Sequence, residues 1–266
     1  MNFLEKVRLS TLARVEIRKR FRPIEDFCFQ GEEDRLYKQF LKNETCLIAE
    51  IKKKSPSLGI INKINVLEMA KIYYEAGISI ISLLTEPDFF NGNIADLPVL
   101  REKYPDLIIL QKDFILDPYQ ILESKKMGAD GILLIVSLLG ESELYRLYGM
   151  AKEMGLSVIV EIHTLEELKI AKKIGATLIG VNNRNLSTLE VDLNISKKMI
   201  CYKNLHANSN SKSFFISESG LKSSEEIREL SLLGFNGFLI GSSLMKSKSP
   251  FVELSEFLTV TKNTII

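Results

Sequence analysis

Short apolar runs rich in Ile, Val and Leu recur along the chain. They fall at Cys46–Lys52, Ser79–Thr85, Leu107–Asp113, Gly131–Ser137, Ser157–His163, Leu178–Asn182, Phe214–Ser219 and Gly237–Gly241. Runs of this length, apolar at nearly every position, read as strands buried on both faces. Between them the period changes from that of a strand to that of a helix. Helical spacing covers Val66–Glu75, Pro118–Met127, Glu141–Met154, Leu165–Ile174 and Ser224–Leu233. In the fourth of these, Leu165, Leu168, Ala171 and Ile174 form one apolar face, with Lys and Glu between them. A glycine stands just past several helices, at Gly77, Gly128, Gly155, Gly175 and Gly234, where a left-handed cap is expected. Buried strands alternating with amphipathic helices imply a parallel sheet covered by helices. Eight such units in roughly 220 residues match the count and length of an α/β fold, the (β/α)8 TIM barrel. A doubly wound open sheet is the alternative. The count of eight and the lack of Gly-x-Gly-x-x-Gly after the first strand weaken it.

Residues 1–45 precede the first strand. Phe3, Leu4, Val7, Leu12 and Val15, then a second patch ending at Leu41, suggest one or two extra helices covering the bottom or side of the barrel. The polar stretch Asn204–Ser213 reads as a surface loop. No linker divides the chain, so 1–266 is read as one barrel domain with 1–45 as an N-terminal helical extension.

Bulk composition narrows the class. Hydrophobic residues make up 45% and charged residues 26%, which suits a soluble globular protein. The net charge of +1 directs no field at nucleic acid or membrane, and neither is expected as a partner. No apolar run approaches the roughly 18–20 residues that span a bilayer. Met1–Arg22 lacks the continuous apolar core and cleavage site of a signal peptide. Cys28, Cys46 and Cys201 form neither a metal motif nor a disulfide framework, so no metal and a cytoplasmic location are expected.

Chemistry in such barrels sits at the C-terminal ends of the strands. Six strand ends turn polar there: Glu50 and Lys52; Gln111-Lys112-Asp113; Glu161 and His163; Asn182-Asn183-Arg184; Glu218-Ser219-Gly220; and Gly241-Ser242. An acid and an amine two residues apart on a buried face are costly unless paired or used. Blander readings stand beside this one. Glu161 and Lys112 also fit strand-end charges turned to solvent. His163, beyond Glu161 at the strand-to-helix turn, reads as a rim residue rather than a catalyst. Lys53 and Lys54 read as a solvated rim. Phe89, Phe90 and Phe114 lie just past strand ends, where they cover the core or wall an aromatic substrate. Ser219-Gly220 and Gly241-Ser242 end the last two strands. Loops there form the usual phosphate site of this architecture, and glycine permits close backbone approach. Tight turns are the plain alternative for each pair.

Several motifs run in order from about residue 46 to about residue 246. They are Glu50-Ile51-Lys52-x-x-Ser55-Pro56-Ser57-x-Gly59, Leu84-Thr85-Glu86 with Phe90-Asn91-Gly92, Lys112-Asp113-Phe114 and Gly128-Ala129-Asp130. Then come Val160-Glu161-Ile162-His163, Gly180-Val181-Asn182-Asn183-Arg184-Asn185-Leu186, Glu218-Ser219-Gly220 and Leu239-Ile240-Gly241-Ser242. In this set and order the chain resembles the indole-3-glycerol phosphate synthase family of tryptophan biosynthesis. Residues 1–45 match loosely, Ser217 replaces an expected small apolar residue, and the Asn204–Ser213 loop is longer than usual.

The resemblance implies a carbon–carbon lyase, EC 4.1.1.48, that closes carboxyphenylamino-deoxyribulose 5-phosphate into an indole with loss of carbon dioxide and water. It implies Lys112 as principal acid and Glu161 as base or proton relay. Glu50 would position Lys112, Lys52 would contact the substrate and serve as a second acid, and Asn182 and Ser55 would orient the anthranilate carboxylate. Arg184 would lie nearby, and Pro56, Phe90 and Phe114 would pack on the ring. Ser219, Gly220, Gly241 and Ser242 would hold the phosphate. No cofactor is implied, and a monomer acting on a small phosphosugar is expected. Amines and carboxylates facing one low-dielectric cavity must shift each other's ionisation. Two alternatives remain. A related phosphosugar barrel such as phosphoribosylanthranilate isomerase would carry a cysteine on strand one and an aspartate on strand seven. A catalytically dead scaffold would have lost charged residues.

Overall fold

The computed structural model describes residues 2–24, 34–43, 45–56, 59–61, 65–186, 188–205 and 213–262. Eight parallel strands close into a barrel, with the first strand bonded to both the second and the eighth. In chain order they are Cys46–Ile51, Ile80–Leu84, Ile108–Lys112, Gly131–Ile135, Ser157–Ile162, Leu178–Asn182, Phe214–Glu218 and Gly237–Ile240. Each expected strand is present. Most end one residue early, and the fourth ends two early, where helix Val136–Glu153 begins.

The period-2 alternation of a strand sorts the side chains into two shells. Leu47, Ala49, Ile81, Val158, Ile179 and Phe215 point outward and pack beneath the helices. Ile48, Ile80, Leu110, Leu133, Ile159 and Ile216 point inward and fill the barrel. The same inward parity, carried one step toward the C-terminal end, gives Glu50, Lys112, Glu161, Asn182 and Glu218. The sequence thus places its buried charge on the inner face, in a layer above an apolar floor.

Helices Val66–Glu75, Pro118–Lys126, Leu165–Lys173 and Ser224–Leu232 match the expected periodic segments to within a residue. The helix expected at Glu141–Met154 is the second part of Val136–Glu153. Gly140, with φ 74°, breaks its geometry one residue earlier. All five glycines expected as caps have positive φ. A two-stranded ribbon, Lys54–Ser55 with Gly59–Ile60, follows the first strand's end; Ser57, between the two in sequence, lies outside the described residues. So do Cys28 and most of the loop expected at Asn204–Ser213.

The N-terminal extension departs from expectation. Its first helix, Phe3–Phe21, lies at the C-terminal mouth of the barrel rather than at the bottom or side. Arg14 pairs with Glu86 at 3.0 Å, Arg18 with Glu123 at 3.4 Å and Lys19 with Asp117 at 2.7 Å. These acids follow the second and third strands, so charge on one helix face selects the top. The second helix, Arg35–Lys42, does close the bottom. Its Phe40 is 1% exposed and packs 5.6 Å from the Phe214 ring, in room left by Gly237. Among the described residues, no helix is long and apolar enough to cross a membrane.

Candidate active site

A cavity of about 820 Å³ opens at the C-terminal ends of the strands. Glu50, Lys52, Ser55, Pro56, Phe90, Lys112, Phe114, Glu161, Asn182, Arg184, Ser219, Gly220, Gly241 and Ser242 all line it. Each site residue singled out in the sequence therefore reaches one space.

Charge occupies the floor. Glu50 Oε1 accepts from Lys52 Nζ. Burial pushes the Glu50 carboxyl up, but Lys52, Lys112 and Arg184 outweigh it and hold it below its ordinary value. Lys112 is not held by Glu50 as expected. It donates to Glu218 Oε2 and lies 3.8 Å from Glu161 Oε2. Burial disfavours its ammonium, yet Glu218, Glu161 and Glu50 together push its pKa above the usual lysine value. Asn182 Nδ2 donates to Glu161 Oε1 at 3.0 Å and, through Oδ1, accepts the Arg184 N–H at 3.0 Å.

Glu218 stood among the polar strand ends in the sequence, but no role was assigned to it there. It is 1% exposed, lies under Lys112, and burial pushes its carboxyl up to about 7 against the pull of Lys112. The available signal was its inward parity with Phe214 and Ile216. Two glycines make room for the carboxylates. A Cβ at Gly180 would overlap Glu218 Oε1, and one at Gly241 would overlap Glu50 Oε1. Asn183 braces this corner by donating to the carbonyls of Glu218 and Ser219, each at 3.0 Å, and to Ser217 Oγ at 3.1 Å. Ser217 also meets Ser196 Oγ at 2.9 Å, so its hydroxyl has a structural use.

One wall is apolar. Phe90 and Phe114 stand 6.1 Å apart, Phe3 adds an edge contact to Phe114 at 6.4 Å, and Leu133 and Ile135 complete the wall. The opposite end has the features of an anion cradle. Ser219 and Gly220 are left-handed in succession, φ 66° and 91°, and Gly241 leads into the short helix Ser242–Lys246. Lys222 and Lys246 bring positive charge, and the buried Ser243 Oγ has no hydrogen-bond partner among the described residues.

The model of the family described as indole-3-glycerol phosphate synthase matches residues 4–257. The chain belongs to that family. A relative so named from Aquifex aeolicus is 42% identical over 261 residues, covering 97% of this chain and 99% of its own. One from Listeria monocytogenes is 40% identical over 266 residues, covering 98% and 100%. The indole-3-glycerol phosphate synthase family is one of decarboxylating carbon–carbon lyases, EC 4.1.1.48, in tryptophan biosynthesis. Among solved structures, a 3-hexulose-6-phosphate synthase from Salmonella typhimurium aligns with a TM-score of 0.65 at 15% identity, covering 83% of this chain and 100% of its own. That likeness is one of fold.

Proposed function

We propose that this cavity closes carboxyphenylamino-deoxyribulose 5-phosphate into indole-3-glycerol phosphate. The observation that carries the reading is a lysine ammonium set between two buried carboxylates, with an aromatic wall on one side and a glycine-hinged cradle on the other. A substrate with an aromatic ring at one end and a phosphate at the other matches that polarity.

In this reading Ser219, Gly220, Gly241 and Ser242 hold the phosphate, assisted by Lys222, Lys246 and Ser243. Pro56, Phe90 and Phe114 pack on the ring. Ser55, Asn182 and Arg184 orient its carboxylate. Binding both ends folds the flexible chain so that the ring carbon bearing the carboxylate faces the sugar carbonyl. As that bond forms, Lys112 protonates the carbonyl oxygen. Carbon dioxide then departs, its electron pair restoring the aromatic ring, and apolar walls favour this by desolvating the carboxylate. The new hydroxyl leaves as water with a proton from Lys52, while Glu161 removes a proton from the adjacent carbon. Glu218 positions Lys112, and Glu50 positions Lys52. Each step needs only a proton donor or acceptor. All these groups come from one chain, which in this reading works as a monomer in the cytoplasm and binds no nucleic acid.

The rise of indole fluorescence with the carboxyphenylamino substrate tests this. Lys112→Ala should lower turnover by at least about 10²-fold with the fold intact. Near-normal turnover in that variant removes Lys112 as the acid. Turnover of phosphoribosylanthranilate instead would favour the isomerase, and tight binding without turnover the scaffold.

A further inference from the structure

His163 is a buried titratable group beside the site that this scheme leaves unused. Its Nε2 lies 3.4 Å from Glu161 Oε1, and its Nδ1 lies 3.5 Å from Glu167 Oε2. Both ring nitrogens are shut from water, and neither makes a hydrogen bond among the described residues. The backbone holds the ring in this place. Thr164 caps helix Leu165–Lys173, and Glu167 in its first turn accepts the His163 N–H at 2.6 Å. Burial works against the imidazolium, but Glu167, Glu161 and Glu218 outweigh it and keep the pKa above its ordinary value. These carboxylates face the ring from its own strand, the following helix and the seventh strand, with Lys112 beyond Glu161.

Glu167, His163, Glu161 and Lys112 thus form a string with gaps of 3.5, 3.4 and 3.8 Å. Its outer side chains are 15% and 12% exposed, whereas Glu161 is 2% exposed. The cavity lining includes Glu161 and Lys112 but neither His163 nor Glu167. The outer two members therefore lie beside the cavity rather than in its lining, at the start of helix Leu165–Lys173, and Glu167 keeps some contact with water.

The proton balance calls for such a route. Carbon dioxide leaves an ionised carboxylate and carries no proton away. Two protons are given, one to the carbonyl oxygen and one to the departing hydroxyl. One is recovered, from the carbon that Glu161 deprotonates. One proton per turnover must therefore enter from water, and a path other than the cavity lets it enter before product has left.

We propose that Glu167 and His163 are the proton inlet of this site, acting through Glu161 to reload Lys112. The inference rests on the lyase reading above. The His163 imidazolium gives its Nε2 proton to Glu161, and Glu161 passes one to the neutral Lys112 amine. The ring, left with its Nδ1 proton, then turns its bare Nε2 toward Glu167, takes up a solvent proton there and turns back.

The test compares the unmodified chain, His163→Ala and Glu167→Gln in the fluorescence assay, with and without added imidazole. For His163→Ala we expect KM within about twofold, kcat lower by at least about tenfold with the deficit growing as pH rises, and saturable recovery by imidazolium. Glu167→Gln retains an acceptor for the His163 N–H, so its fold is secure, and its kcat should fall severalfold. Unchanged kcat in both variants overturns the inlet. So does a loss in His163→Ala that neither pH nor imidazole alters, which is the mark of a packing role. If His163→Ala does not fold, Glu167→Gln decides by the same criterion. Absence of turnover in the unmodified chain instead overturns the lyase reading itself.

Discussion

Gly180→Ala probes the most confined point of the site. Gly180 lies in the sixth strand, in register with Glu161 on one side and Ile216 on the other. Its φ is not left-handed, so alanine adds no backbone strain. The added Cβ would overlap Glu218 Oε1 and stand 2.9 Å from Ile159 Cγ2 and 3.2 Å from Glu218 Cδ. Restoring a carbon contact of about 3.5 Å requires a retreat of more than about half an ångström. Ladders on both flanks fix the strand, and Ile159 is fully buried. The softest response is rotation of the Glu218 carboxylate, which draws Lys112 away from its working position. Misplacement of a reacting group by about 1 Å costs about 10²-fold, and overpacking of this kind costs about 1–3 kcal/mol. Progress curves of indole fluorescence should show kcat reduced about 10²-fold with KM changed far less, and denaturant unfolding should show the stability loss. A variant that loses stability but keeps normal kcat refutes the claim that Glu218 positions Lys112.

Gly149→Ala is the matched control. It lies within helix Val136–Glu153 with nothing within 4 Å of the new Cβ, so stability should rise by about 0.5–1 kcal/mol with kcat unchanged. Phe40→Ala empties the bottom of the barrel and should cost about 3–5 kcal/mol in denaturant unfolding while leaving KM alone. Glu218→Gln tests linkage. Burial raises the Glu218 pKa from 4.5 to about 7. In that interval the folded chain holds a proton that the unfolded chain has released. The stabilisation is complete below about pH 4.5 and is lost as pH rises through about 7. Glutamine removes that loss, so the stability difference between variant and parent should change across this window in urea titrations; parallel curves would contradict the shift.

The eight strands and the inward parity of Glu50, Lys112, Glu161 and Asn182 were legible because strand period and polarity are local properties of the chain. Pairing was not. Lys112 and Glu218 are 106 residues apart, and only barrel closure decides that Glu218, rather than Glu50, holds the lysine. The first helix was misplaced for a similar reason. Its apolar residues suit either end of a barrel, and the acids that choose the top, Glu86, Asp117 and Glu123, lie far along the chain. The break at Gly140 was invisible because Val136, Leu138 and Leu139 continue the strand's apolar run into the helix. His163 was read as a rim residue, since its approach to two carboxylates depends on where the next helix begins.

The placement of the N-terminal helices has a consequence for synthesis. Both N-terminal helices are made before the segments they pack against, and the second waits longest. Phe3 waits for Phe89 and Phe114, Arg18 for Glu123, and Phe40 for Phe214 and the space beside Gly237. Until the eighth strand emerges and pairs with the first, Cys46 with Gly237, the barrel has an open seam and Phe40 has no lodging. A growing chain therefore carries exposed aromatic residues and an unpaired strand edge through most of its translation. It joins its two ends only in the closing steps, the interval in which such chains are most open to aggregation.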